Sequence, residues 1–145
     1  MFSDLFKRLT APDPAPLSDV DARIALGALL VRLARTDGSY DADEIAQIDA
    51  VLIARYAMTP FEAAALRADC ETAEAEAPDT VRFTRAIKDA VPYEDRIGVI
   101  EALWSVVLVD GVRDSHEDAM LRMVAPLLGV TDIESHQARL RVAKT

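Results

Sequence analysis

Cysteine occurs once in this 145-residue chain, as Cys70, so no intramolecular disulfide framework is available and the thiol reads as a small core side chain. There are two histidines, His116 and His136, and no Ser/His/Asp or Cys/His arrangement that would pair a nucleophile with a base. The expectation is therefore a protein that is not an enzyme. Glycine and proline are few, with 5 and 7 copies, and no segment alternates polar with apolar residues, which disfavours sheet. Basic residues are also in deficit, 16 against 25 acidic, for a net charge of -9. Without a basic footprint, nucleic acid is excluded as a partner. Finally, no run approaches the ~20 apolar residues that span a bilayer. The longest candidate, Ile24 to Ala34, is interrupted by Arg32. The opening Met-Phe-Ser-Asp-Leu-Phe-Lys-Arg carries an early acid and no signal-type apolar core, so the expected location is cytoplasmic.

What is present suits one helical domain. Hydrophobic residues make up 51% of the chain and the mean hydropathy is +0.10, enough to bury a core without staples. The reading is an all-α, compact single-domain bundle of about seven to eight helices, with residues 1–17 as a separate leader and 18–145 as the domain. In the leader, Phe2, Leu5, Phe6 and Leu9 fall on one helical face, and Pro12, Pro14 and Pro16 form a stiff connector. Two uses compete for that stripe: docking on the core, or peripheral contact with a membrane or partner.

Start and stop signals divide the remainder. Ser18 opens a first long helix, with Asp21 three residues on and Ile24, Leu26, Leu30 and Leu33 as its apolar positions, and it ends at Asp37-Gly38. Asp41 caps a second helix with Glu44 at its third position. Thr59-Pro60-Phe61-Glu62 starts a third, which runs to about Glu76. Asp79 opens a fourth, read with Val81, Ile87 and Val91 on one side. Pro92 breaks it before a helix bearing Ile97, Ile100, Leu103, Trp104 and Val107, which ends at Asp110-Gly111. Asp114 and Glu117 cap the next, with Leu121, Val124 and Leu128 inward, until Gly129. Thr131-Asp132-Ile133-Glu134 opens the last.

Two stretches align without gaps, Arg23 to Val51 and Arg96 to Val124, at the offset of 73 that takes Asp37 to Asp110. Both read D-G-x-x-D-x-x-E between apolar helices, so the bundle contains an internal helix-turn-helix duplication with approximate two-fold symmetry. One deletion later, Met58-Thr59-Pro60-Phe61-Glu62 matches Val130-Thr131-Asp132-Ile133-Glu134. These paired acidic turns, the stretch Asp79-Thr80-Val81-Arg82-Phe83-Thr84-Arg85-Ala86-Ile87-Lys88, and Glu101-Ala102-Leu103-Trp104 ahead of Asp110-Gly111 resemble the tellurite-resistance protein B (TerB) family. The likeness is to its short, stand-alone bacterial branch, and it extends from about Ser18 to Val130. It implies an all-helical TerB-like fold without established catalysis, associated with tellurite or stress resistance, acidic loops proposed as metal sites, and membrane-associated complexes.

The acidic turns are the candidate site. Asp37 and Asp110 sit at helix C-termini, where a carboxylate faces the negative end of the macrodipole, unfavourable by about 0.3–1 kcal/mol. Gly38 and Gly111 are natural left-handed cap residues. Asp41, Glu44, Asp114 and Glu117 all sit favourably at helix starts. A divalent cation, Ca²⁺ or Mg²⁺, would compensate the first aspartate of each turn; an arginine would do so equally well. Capping carboxylates without an ion are the leading reading and a metal site formed by Asp37, Asp41, Glu44, Asp110, Asp114 and Glu117 the second. Arg82, Arg85, Lys88 and Arg96 read as intramolecular ion-pair partners, with a basic docking patch as the alternative. Trp104 reads as core. The function expected is a non-catalytic interaction or scaffold domain with a protein partner; the alternative is a divalent-metal-binding protein using the two acidic turns.

Overall fold

The structure is a computed structural model that describes residues 19–36, 38, 40–77, 80–109 and 115–144. Among these residues are seven helices and no strand: α1 (Asp19–Arg35), α2 (Ala42–Tyr56), α3 (Pro60–Glu76), α4 (Val81–Ala90), α5 (Tyr93–Val107), α6 (Ser115–Leu127) and α7 (Asp132–Ala143). The expected leader helix over Phe2, Leu5, Phe6 and Leu9 lies outside the described residues. So do the Ser18 and Asp114 caps and the predicted opening of α4 at Asp79.

Three helix starts are fixed by reciprocal capping boxes, where two side chains satisfy two otherwise unpaired amides. At α2 the Glu44 amide donates to Asp41 Oδ1 at 2.9 Å and the Asp41 amide donates to Glu44 Oε1 at 3.3 Å. Thr59 with Glu62 does the same for α3, and Thr131 with Glu134 for α7. Three helix ends use the left-handed region. Gly38 has φ +80° and Gly129 φ +77°. After α2 the same conformation falls on Ala57, with φ 53°.

α1 is the centre of the molecule. From Ile24 to Ala34 every residue is buried except Arg32. α3, α4 and α5 pack on it most extensively, with α2 and α6 adding less. A Cβ built on Gly27 would stand 2.2 Å from Cys70 Sγ, so the absence of a side chain there is what lets α3 approach α1 so closely. Cys70 itself is fully buried, as read from sequence, and burial pushes its thiol up to about 12.

α4 corrects one expectation. Val81 is 43% exposed, and the buried face is Phe83, Thr84, Ala86 and Ile87. Ile87 follows Val81 by six positions, about 1.7 turns, which sets the two about 120° apart around a 3.6-residue helix and off a common face. The inward residues Phe83, Ala86 and Ile87 follow the i, i+3, i+4 rule instead.

The duplication is larger in space than a helix pair. In each half the first helix packs chiefly on the third, α1 on α3 and α5 on α7, and the second helix touches both halves: α2 lies on α3 and also on α5, and α6 lies on α7 and also on α1 and α4. Thr36 Oγ1, at the end of α1, lies 3.2 Å from Met120 Sδ on α6. At equivalent positions 73 residues apart, Gln47 of α2 lines a hollow with Val109, and its Nε2 donates to Ser105 Oγ of α5 at 3.1 Å. Met120 and Gln47 each stand on the second turn of their helix, only about 8 Å along the axis from its start. The ends of α1 and α5 and the starts of α2 and α6 therefore gather at one end of the bundle.

Candidate functional site

The described helix ends that flank both acidic connections lie there, and the described part of the first connection can be built from its residues upward. Asp41 is half-buried and Glu44 buried at 3% exposure. Each engages the other's backbone amide in the capping box, so this part of the turn has a local structural reason. The structure brings these two predicted residues together. Asp37, Asp110 and Asp114 lie outside the described residues, as does the side chain of Glu117, although its backbone belongs to the first turn of α6. Among the described residues, no group of three or more His, Cys, Asp or Glu side chains is placed to hold a metal ion.

Behind the turn runs a charge network that the sequence reading did not single out. Glu74, on the last turns of α3, is buried, and two arginines of α1 converge on it. Arg32 Nε and Nη2 donate to Oε2 at 3.1 and 3.0 Å, and Arg35 Nη1 donates to Oε1 at 2.6 Å. Arg32 Nη2 also reaches the Ala77 carbonyl at 2.7 Å and the Glu74 carbonyl at 3.0 Å, satisfying the end of α3. A buried carboxylate needs such compensation, and a guanidinium that also caps a helix end provides it in fixed geometry. Arg35 in turn lies 5.0 Å from the Tyr40 ring centroid. Tyr40, within the acidic turn, donates its hydroxyl to Glu71 Oε2 at 2.6 Å.

Glu71 continues the chain to Arg67, which bonds Glu71 at 3.2 Å and Asp49 of α2 at 2.7 Å. The Asp49 hydrogen bond is the main reason the Arg67 guanidinium holds its proton more tightly than usual. Burial, and then the Glu71 hydrogen bond, raise the Tyr40 phenol well above its ordinary value, so it stays a donor. The first acidic turn is thus clamped to α1, α2 and α3 by a continuous line of ionic contacts. Only the Arg67–Glu71 spacing of i, i+4 could have been read from sequence; the other partners meet across elements.

Other singled-out residues take structural places. Trp104 is buried and its indole donates to Ser135 Oγ at 3.1 Å, which fits its reading as core. His136 is exposed on α7, with Nδ1 3.4 Å from Arg139 Nη2. Arg96 departs from the ion-pair expectation: it donates to the backbone carbonyls of Val91 and Lys88, each at 3.0 Å, and of Leu128 at 3.4 Å. It ties the ends of α4 and α6 to α5, because free carbonyls at helix ends compete for the same guanidinium. Arg85 and Lys88 form no ion pair with another described residue. No described helix is long and apolar enough to cross a membrane.

Comparison with curated proteins and with solved structures returns no match. The family model described as tellurite resistance protein TerB matches residues 23–140, a span that runs from the start of the buried segment of α1 into α7 and includes both halves of the duplication. Most of the chain, the all-helical architecture and the paired acidic turns fall inside that match, and the chain belongs to the TerB family.

Proposed function

We propose that this chain is a non-catalytic TerB-type interaction or scaffold domain, working in the cytoplasm within a bacterial stress-related or tellurite-resistance-related complex. Its working surface is the end of the bundle where the two acidic connections meet. The observation that carries the reading is the pair of contacts between the halves, Thr36 with Met120 and Gln47 with Ser105, which draw the described ends of both acidic connections to one end of a frame held by the Glu74 and Glu71 clamps. Clustered fixed charge attracts a complementary basic partner and speeds its encounter.

The test is capture of partners by the full chain from its own cells, compared with an Asp37→Asn, Asp110→Asn variant in which both helix-end aspartates are neutral and the caps are untouched. A basic protein retained by the parent and lost by the variant, with loss steepening as salt rises, supports the reading. Identical sets of retained proteins would sink it.

A second reading is a divalent-cation site, Ca²⁺ or Mg²⁺, formed by Asp37, Asp41 and Glu44 and again by Asp110, Asp114 and Glu117. The repetition of the same acidic spacing in the two connections favours it. It ranks second because Asp41 and Glu44 are already engaged by backbone amides. Calorimetric titration with each cation discriminates: heat that disappears in the double asparagine variant supports the metal site, and no heat at millimolar cation removes it.

A further inference from the structure

The two halves of the molecule treat one position differently. In the first half Arg67 bridges Asp49 on α2 and Glu71 on its own helix. Carried through the duplication, with the offset of 73 for the second helices and 72 for the third, Arg67 corresponds to Arg139, Asp49 to Arg122 and Glu71 to Ala143. Arg139 has therefore kept the guanidinium and lost both carboxylates. One of them has become a second arginine. Neither Arg122 nor Arg139 forms an ion pair with another described residue.

Where the first half is closed by its ion pair, the second opens into a cleft of about 460 Å³ lined by Trp104, Asp118, Arg122, Ser135, His136 and Arg139, with Asp132 at its edge. Arg139 is held in place: its guanidinium lies 5.8 Å from the Trp104 ring centroid and 3.4 Å from His136 Nδ1. Trp104 is itself fixed through Ser135. The two aspartates bring the lining close to electrical neutrality, so net charge does not make the case. It rests on two guanidiniums in one cleft, one of them pre-positioned, at the place where the other half supplies a carboxylate. Paired guanidinium forks match the two oxygens of a carboxylate, and pre-positioning lowers the ordering cost of binding.

We propose that this cleft binds a small carboxylate, seated between Arg122 and Arg139 and supplying to Arg139 the carboxylate that Asp49 supplies to Arg67 in the first half. This site is separate from the acidic motifs and does not depend on the function proposed for them.

Trp104 is the one tryptophan of the chain, so its fluorescence reports directly on the cleft. Titration of the full chain with succinate, at ionic strength held constant with sodium chloride, is expected to give a saturable change. Arg139→Ala and Arg122→Ala should each weaken binding about tenfold or more. Arg122→Asp, which restores the first-half arrangement, should abolish binding and raise the thermal midpoint. Arg85→Ala, on the exposed face of α4, should bind as the parent does. The same titration with phosphate separates a general oxyanion preference from a carboxylate one: equal or tighter phosphate binding overturns the carboxylate assignment. A change that does not saturate, or undiminished succinate binding by Arg122→Asp, overturns the site itself.

Discussion

Replacing Gly27 with alanine puts a methyl group 2.2 Å from Cys70 Sγ and 3.1 Å from Cys70 Cβ. Carbon and sulfur at rest stand roughly 3.5–4 Å apart, so the sulfur must turn away or α1 and α3 must part by more than 1 Å. An approach this close belongs in the upper part of the range for overpacking, about 2–3 kcal/mol, and the better helix propensity of alanine returns about 1 kcal/mol. The net loss expected for Gly27→Ala is about 1–2 kcal/mol. Cys70→Ala alone removes a buried sulfur and costs about 1 kcal/mol. In the double variant the sulfur is gone and the remaining 3.1 Å approach needs a shift of only a few tenths of an ångström. The helix-propensity gain then survives, and Gly27→Ala becomes close to neutral in that background. Urea unfolding of the four proteins, followed by circular dichroism, gives the coupling between the two sites. It should be about 1–2 kcal/mol in favour of the double variant. Effects that add to within about 0.5 kcal/mol would refute the claim that Gly27 is there to admit Cys70.

Further outcomes follow from features outside that contact. Ala57 adopts a left-handed conformation at the position where the second half has Gly129, so Ala57→Gly should stabilise the protein by about 0.5–1 kcal/mol, read as a higher thermal midpoint. Glu74→Ala leaves Arg32 and Arg35 facing each other without their shared carboxylate; the expected loss is about 3 kcal/mol by urea unfolding, at the low end for a buried pair because Arg32 keeps its carbonyl partners. The Glu62 and Glu134 carboxyls are held below their ordinary value of 4.5, chiefly by the backbone amides of Thr59 and Thr131. Their contribution is complete above 4.5 and disappears as pH falls through the lower folded-state value; Glu62→Gln with Glu134→Gln should flatten the acid limb of a stability–pH curve. Burial raises the Cys70 thiol from 9.0 to about 12, which adds stability below pH 9 that is lost on the way to pH 12. Cys70→Ala should shallow that alkaline fall, and parent Cys70 should react with thiol reagents only as fast as the protein opens.

The helices were legible because their boundaries are local. Asp41-x-x-Glu44, Thr59-Pro60-x-Glu62 and Thr131-x-x-Glu134 each specify a start through contacts three residues apart, and Gly129 specifies an end through a backbone angle. The duplication was legible for the same reason, as a spacing. The central place of α1 was not, since a helix apolar on nearly all sides gives little periodic signal and only its neighbours reveal which face meets which. The α4 face was misread because Val81 was grouped with Ile87 by type rather than by angle. At the acidic site, the capping role of Asp41 and Glu44 was visible in the sequence, whereas the Arg32–Glu74 clamp joins residues 42 apart and leaves no local trace. The gathering of the ends of α1 and α5 with the starts of α2 and α6 depends on second helices that touch both halves, which no linear pattern encodes.

The interior position of α1 has a consequence for how the chain matures on the ribosome. The surface of this helix is covered by α3, α4 and α5, and the last of these ends at Val107. When α1 to α3 have emerged, the strip that α5 will cover is still in contact with water, and a nascent chain halted there carries an adhesive apolar seam. The fold cannot be finished in instalments: the first half, though it contains two of the capping boxes, awaits the second for its own centre.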